Sequence, residues 1–406
     1  MRRPFLLQAM TSRSASIAVL ILSQIAVLSV WFSSAAVLSE MSAEAGLGTA
    51  QLAWLSTATQ VGFGVGAIVF GLAGWADLYD PRKVFALCAA LAGGANALLL
   101  IAPIGGPEAI ALRALTGAFL AGVYPVGMKI AVGWTIKNRA LLVGALVGAL
   151  TLGSAFPHLI AFAGGADWRL TIWGTSAIAA IGGLSMLAVG LGPHHARAPR
   201  LDLSAVATAW TNKRIRYAIL GYVGHMWELY AFWAWVGVIA STSFALSGDD
   251  PDGTLAKLTA FLAIALGGVV CIPAGGLADR FGKARVAAIV MLLSCGSALL
   301  AAFAYGGPAW LMIAVLIVWG LTVVPDSALF STLVADAAPP ERVGSIMTLQ
   351  TAIGFLLTAV TVQVTPIAAN AFGWPIVLAI MAVGPAFGVL AMRALMKLSP
   401  AENPPD

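Results

Sequence analysis

Along the chain, apolar runs of about 20 residues alternate with short polar or charged interruptions, the length a helix needs to cross a hydrocarbon layer. The pattern predicts twelve spans, at about 15–39, 51–74, 84–103, 108–133, 140–163, 168–190, 217–241, 256–277, 285–304, 308–333, 343–365 and 374–397. One internal interruption is long, from about 191 to 216, and carries Gly192-Pro193-His194-His195 and five basic residues. That composition suits a linker between two halves. The predicted organisation is a six-helix bundle over 1–195, a linker over 196–215, a second six-helix bundle over 216–398 and a disordered tail over 399–406. The expected fold class is an all-α polytopic membrane protein.

Composition agrees, with 60% of residues apolar and only 10% charged over 406 positions. A soluble domain could not cover that much apolar surface. Charge then orients the chain. Of 22 Lys and Arg residues, eighteen fall on one set of alternating loops, only Arg169 and Lys257 on the other, and Arg113 and Lys129 inside spans. The positive-inside rule makes the basic side cytoplasmic, with both termini inside the cell and the chain multi-pass in the inner membrane. Basic loops facing anionic membrane lipid account for the net charge of +5 without a nucleic-acid partner. The first span is too long for a signal-peptide core and reads as a retained helix.

Several chemistries find no support. Cys88, Cys271 and Cys295 lie within spans without metal-ligand spacing, and His194-His195 reads as a solvated loop, so no metal and no cofactor are expected. No phosphate-binding glycine-lysine loop and no nucleophile-base constellation is visible, so the chain is not expected to be an enzyme. Nothing in the pattern requires a second copy, and a monomer is expected.

Two charged turns stand 202 residues apart, Asp77-Leu78-Tyr79-Asp80-Pro81-Arg82-Lys83 and Asp279-Arg280-Phe281-Gly282-Lys283-Ala284-Arg285, each between apolar runs. A duplicated turn marks internal pseudosymmetry, and parallel halves are how one large transporter class is built. The turns resemble the signature Gly-x-x-x-Asp-x-x-Gly-Arg/Lys-x-Arg/Lys of the major facilitator superfamily. The second copy matches better, with Gly275, Asp279, Gly282, Lys283 and Arg285 in register; in the first, Ala73 and Asp80 replace the glycines. The resemblance covers the whole chain and implies two pseudosymmetric six-helix bundles that rock about a central site. It also implies that Asp77, Arg82, Lys83, Asp279, Arg280, Lys283 and Arg285 form gating latches, against the plainer reading that they anchor tight turns. Arg113-Ala114-Leu115-Thr116-Gly117 resembles an Arg-x-x-x-Gly pattern that similar proteins use for substrate or proton coupling; otherwise Arg113 snorkels to the interface. The Gly-Pro pair of related drug exporters is missing from the fifth span, and the Asn-rich glycine motif of related nitrate transporters from the fifth and eleventh.

Polar groups near helix centres are candidates for a translocation site. The seventh span holds the densest set, His225-Met226-Trp227-Glu228-Leu229-Tyr230-Ala231-Phe232-Trp233-Ala234-Trp235. At 3.6 residues per turn His225, Glu228, Phe232 and Trp235 share a face, so a protonatable pair is expected to look into the cavity beside aromatic walls. The competing reading makes Glu228 a permanently paired packing residue, salt-bridged to His225 or Arg113. Trp227 and Tyr230 stand evenly between cavity lining and packing. Trp31, Gln60, Tyr124 and Gln350 are further lining candidates. Asp326, beside the helix breaker Pro325, is either a functional carboxylate or an anchor, and Lys129 either structural or an attractor of anions.

These features together describe a secondary transporter that moves a small organic solute by alternating access. Proton-coupled uptake, of an anion if Arg113 and Lys129 act on it, is the first expectation. Proton-driven efflux of an aromatic or amphipathic compound, or a sensor built on a transporter fold, are the alternatives.

Overall fold

The computed structural model describes residues 12–134, 139–165, 167–194, 205–339 and 341–398, and all regular structure among them is helical. Twelve crossing segments follow in order: α1 Arg13–Leu28, α2 Thr49–Ala73, α3 Pro81–Ala97, α4 Pro107–Leu120 with Tyr124–Val132, α5 Arg139–Gly164 and α6 Trp168–Met186. The second half repeats them: α7 Lys213–Ser247, α8 Thr254–Phe281, α9 Lys283–Ala304, α10 Ala309–Val323 with Ser327–Ala337, α11 Val343–Phe372 and α12 Trp374–Met381 with Val383–Met396. Ten are long and apolar enough on their own to cross a membrane. The others are α6, with 19 residues, and α1, which continues through turns into a short 3-10 stretch, Ala35–Val37, and a helix, Leu38–Ala45.

Helix ends follow local chemistry. Asp80 accepts from the Arg82 amide and Pro81 occupies the first turn, so α3 starts there. Asn212 caps α7 through the amides of Arg214 and Ile215. As a result α7 begins inside the predicted linker, which also holds a short helix, Ala205–Thr211. Residues 196–204 of that linker and the predicted tail 399–406 lie outside the described residues.

Three crossing segments break in mid-course beside a proline: α4 before Pro125, α10 at Pro325 and α12 before Pro385. The break after Leu28 in α1 has neither proline nor glycine. Serines make it instead, with Ser29 Oγ donating to the Ala26 carbonyl (2.7 Å) and Ser33 Oγ to the Val30 carbonyl (3.1 Å).

Pseudosymmetry is visible in the packing. Where α2 crosses α4, a Cβ on Gly117 would stand 1.9 Å from the Thr59 carbonyl oxygen; where α8 crosses α10, a Cβ on Gly320 would stand 1.7 Å from that of Ala263. Glycine lets the backbones touch at equivalent crossings in both halves. Gly117 of the Arg-x-x-x-Gly pattern is thus held in place by packing.

Candidate functional site

The two bundles meet along a seam in which α2 packs against α11 and α5 against α8. Its centre is aromatic. Trp31, in the broken part of α1, lies 4.6 Å from Phe63 of α2, 5.7 Å from Tyr230 of α7 and 5.7 Å from Phe355 of α11, centroid to centroid. Phe63 and Phe355 are 4.3 Å apart, and Phe32 meets Trp233 edge-on at 5.9 Å. Rings from both halves therefore plug the seam, in offset and edge geometries that favour aromatic contact.

Polar groups without a protein partner accompany the rings. Both amide atoms of Gln60, 1% exposed, are unpaired, as are Trp31 Nε1, Trp233 Nε1 and Gln350 Nε2. Gln60 lies one turn before Gly64, whose missing Cβ would approach Phe355 at 4.0 Å, so it faces the same side of α2 as the plug. Tyr124 sits within electrostatic range of Tyr222 and Tyr230, and its carbonyl accepts from Gln24 Nε2 at 3.3 Å. His158 of α5, also buried with both ring nitrogens unpaired, packs against Gly237 of α7, where a Cβ would meet its ring at 3.4 Å.

The expected shared face of α7 exists but looks elsewhere. Glu228 accepts from Ser294 Oγ of α9 (2.8 Å) and Trp319 Nε1 of α10 (3.0 Å), and Phe232 stacks on Trp319 at 4.6 Å. Trp235 Nε1 donates to the Val362 carbonyl of α11. This face is buried inside the C-terminal bundle. Trp227 donates to the Ile380 carbonyl of α12 and is likewise away from the seam. Tyr230 and Trp233, on the adjoining face, are the α7 rings that reach it. Donors on α9 and α10 hold that face inside the bundle, since Ser294 and Trp319 satisfy the Glu228 carboxylate there.

Two of the candidates meet inside that bundle. His225 Nδ1 of α7 lies 3.0 Å from Asp326 Oδ1, close but not aligned as a hydrogen bond, and both side chains are buried. Asp326 stands at the break of α10 and within electrostatic range of Glu228. Glu228 is paired with neither His225 nor Arg113, and its bonds go to an uncharged hydroxyl and an indole.

Arg113 neither snorkels nor faces the seam. It is 1% exposed; Nη1 donates to the Val30 carbonyl (3.0 Å), Ser33 Oγ (3.1 Å) and Asn96 Oδ1 (2.9 Å), and Nη2 to the Trp31 carbonyl. The guanidinium thus takes up carbonyls freed where α1 unwinds, at the negative end of that helix. Asn96 extends the network to Ile172, Thr175 and Ser176 of α6.

At the basic end the predicted latches bond within one half. Lys129 pairs with Asp77 and donates to the Ala76 carbonyl (2.9 Å), Arg82 pairs with Asp80, and Lys283 pairs with Asp336. Asp279, Arg280 and Arg285 are exposed, as is Gly282, and Arg280 lies over the Phe281 ring. Lys83 is likewise at this surface. The Arg82 guanidinium holds the Asp80 carboxyl below its ordinary range.

The opposite end is tied across the seam by residues outside the duplicated turns. Glu40, on the short helix Leu38–Ala45, pairs with Lys257 of α8, whose Nζ also donates to the Gly165 carbonyl of the N-terminal half (2.7 Å). One turn later on the same helix, Glu44 accepts from Arg169 (2.6 and 2.9 Å) and from Trp168 Nε1 (2.8 Å). These bonds, with Arg169 first, draw the Glu44 carboxyl down to about 2. The two cations of this face could be counted from sequence; Asn96, Ser294 and Trp319 carried no signal beyond being polar or indole groups within spans.

A family model described as the Major Facilitator Superfamily matches residues 19–361 and again 250–406. No curated protein matches the chain significantly. Among solved structures, the inward-facing, unoccupied form of a bacterial homolog of the human lysosomal transporter Spinster aligns over 96% of this chain and 99% of its own, with TM-score 0.76 and 14% identity. A D-xylose–proton symporter aligns over 96% and 98% (TM-score 0.74, 14% identity), and the nucleoside transporter NupG over 94% and 99% (TM-score 0.70, 16% identity). At such identities the likeness is one of fold.

Proposed function

The chain belongs to the major facilitator superfamily, and on that premise we propose that it is a secondary transporter carrying a small organic solute by alternating access, coupled to protons and directed inward. The observation that carries the coupling is the buried set of His225, Asp326 and Glu228, two carboxylates and an imidazole within interaction range inside one bundle. Ionisable side chains this deep in a membrane protein are costly and rare, and they mark candidate proton pathways. Asp326 lies at the break of α10, and discontinuous helices are where such folds place their sites. A titratable set favours protons over sodium, which takes an all-oxygen cage.

The contacts support a state closed at the face of Glu40 and Lys257. With the basic face cytoplasmic, as the loop charges argue, the Glu40–Lys257 pair would shut the side away from the cytoplasm. Loading would then require the plug of Trp31, Phe63, Tyr230 and Phe355 to part on the other half of the cycle.

The experiment is uptake into proteoliposomes with and without an imposed proton gradient. Asp326→Asn should lose accumulation against a gradient while retaining solute exchange. Unchanged accumulation in that variant would remove the His225–Asp326 pair from the coupling role. A second reading, efflux of an aromatic or amphipathic compound, is favoured by the ring-rich seam. It would show as solute movement out of the cytoplasmic-side compartment driven by inward proton flow.

A further inference from the structure

The charges nearest the seam are already committed. Arg113 is spent on the carbonyls of Val30 and Trp31 and on Asn96, Lys129 on Asp77, and Lys257 on Glu40. On the acidic side, Glu228 takes two hydrogen bonds from Ser294 and Trp319, and Asp326 lies against His225. Among the described residues, an ionised solute entering here would have to compete with these existing partners for a counter-charge, and stripping a carboxylate or ammonium of water without one is costly. The anionic solute expected from Arg113 and Lys129 in the sequence does not fit this arrangement.

Uncommitted neutral groups remain. Gln60 offers a donor and an acceptor side by side, both without a protein partner at 1% exposure. Trp31 Nε1, Trp233 Nε1 and Gln350 Nε2 add three buried donors that lack acceptors. The flat faces around Trp31 and Trp233 belong to Phe63, Tyr230 and Phe355. A primary amide is complementary to an edge that presents N–H beside C=O, the geometry by which glutamine reads a nucleobase, and aromatic faces hold flat rings whatever their substituents. Surplus donors call for further carbonyl oxygens on the solute.

We propose that the seam binds an uncharged planar heterocycle of the lactam type, such as a pyrimidine or purine base or its nucleoside, through the Gln60 amide and stacking on the Trp31–Phe355 cluster. The proposal rests on the transport reading only for the solute's passage. Binding itself is measured without flux.

The test uses the full chain in detergent, following thermal stability and tryptophan fluorescence with uracil, orotate, D-xylose and tetraphenylphosphonium. Uracil and orotate share one ring and differ by a carboxylate, so they separate ring recognition from charge. Stabilisation and fluorescence change with uracil are expected, with orotate weaker by about tenfold or more because its carboxylate finds no partner. Gln60→Leu should abolish the uracil response, and Trp31→Phe, which keeps an aromatic face but removes the Nε1 donor, should weaken it, each read as a shift from the variant's own unliganded melting temperature. A response to orotate as strong as to uracil, a response only to D-xylose or to the lipophilic cation, or no uracil response at millimolar concentration would overturn the assignment. Uracil binding without vesicle flux would instead count against transport and leave this assignment standing. Flux of another solute without uracil binding would do the reverse.

Discussion

Glu40 and Lys257 form an ion pair between the two bundles at the face opposite the basic loops, with side chains only 15% and 12% exposed. Because Glu44, one turn along, fastens the same short helix to Arg169 of its own half, Glu40 is presented to Lys257 from a fixed base. The pair is therefore placed to hold that face closed.

Neutralising either partner should loosen the closed state. Glu40→Gln or Lys257→Gln is expected to shift the open–closed balance by about 1 kcal/mol, roughly fivefold, since the pair is part-buried but still near solvent. Spin labels on cysteines at the exposed positions 170 and 246 would report it as a longer distance between halves at that face. Identical distance distributions in wild type and both variants would show that the aromatic plug alone keeps the face shut.

The Glu44–Arg169 tie has a defined pH dependence. A carboxyl drawn from 4.5 to about 2 on folding adds stability above its unfolded value and loses that contribution as pH falls through the interval toward 2. Wild type should melt slightly above Glu44→Gln at neutral pH, and the gap should close below about pH 4.5. The effect is small because both side chains are substantially solvent-accessible, and it should shrink in high salt. A gap that widens with acid would place the stabilising contact elsewhere.

Arg113 is expected to act on stability. Arg113→Leu leaves the Trp31 carbonyl without its donor and leaves the single Ser33 hydroxyl proton to serve only one of the Val30 carbonyl and Asn96 Oδ1, at about 1–3 kcal/mol for each buried group so stranded. Lysine cannot span the same acceptors and should rescue only in part. The check is the melting temperature beside the proton-to-solute stoichiometry of whatever activity survives. An altered stoichiometry in a fully stable Arg113→Lys protein would return the residue to the coupling machinery.

The crossings at Gly117 and Gly320 should be intolerant of alanine. Both Cβ positions fall within 2 Å of a backbone oxygen, so the helices must separate, at about 1–3 kcal/mol or more for each substitution. Gly275→Ala, with nothing within 4 Å of its Cβ position, is the control and should melt as wild type does.

The architecture could be read from the chain because crossing a membrane demands long apolar helices, and because loop charge and a duplicated turn leave local marks. Helix occupies at least part of each of the twelve predicted stretches, and ten are long and apolar enough to cross a membrane, but the unwinding of α1 after Leu28 was hidden behind three serines and had no proline to announce it. Side-chain direction was much less legible. Helical periodicity grouped His225, Glu228, Phe232 and Trp235 correctly on one face, but a pattern along one helix does not say which neighbours that face meets. Here they are α9, α10 and α11 of the same bundle. The surroundings of Arg113 were hidden for a similar reason: its carbonyl partners lie about 80 residues away on a stretch whose acceptors are freed only once α1 has unwound.

Gly148 of α5 and Gly268 of α8 face each other across the seam, each with the other's carbonyl oxygen 3.0 Å from where a Cβ would be. The Thr151 side chain, one turn further along α5, stands 3.1 Å from the Gly268 Cβ position, so the two backbones meet there with little side-chain volume between them. A methyl group on either glycine would act as a wedge between α5 and α8, prising the two bundles apart where their backbones meet.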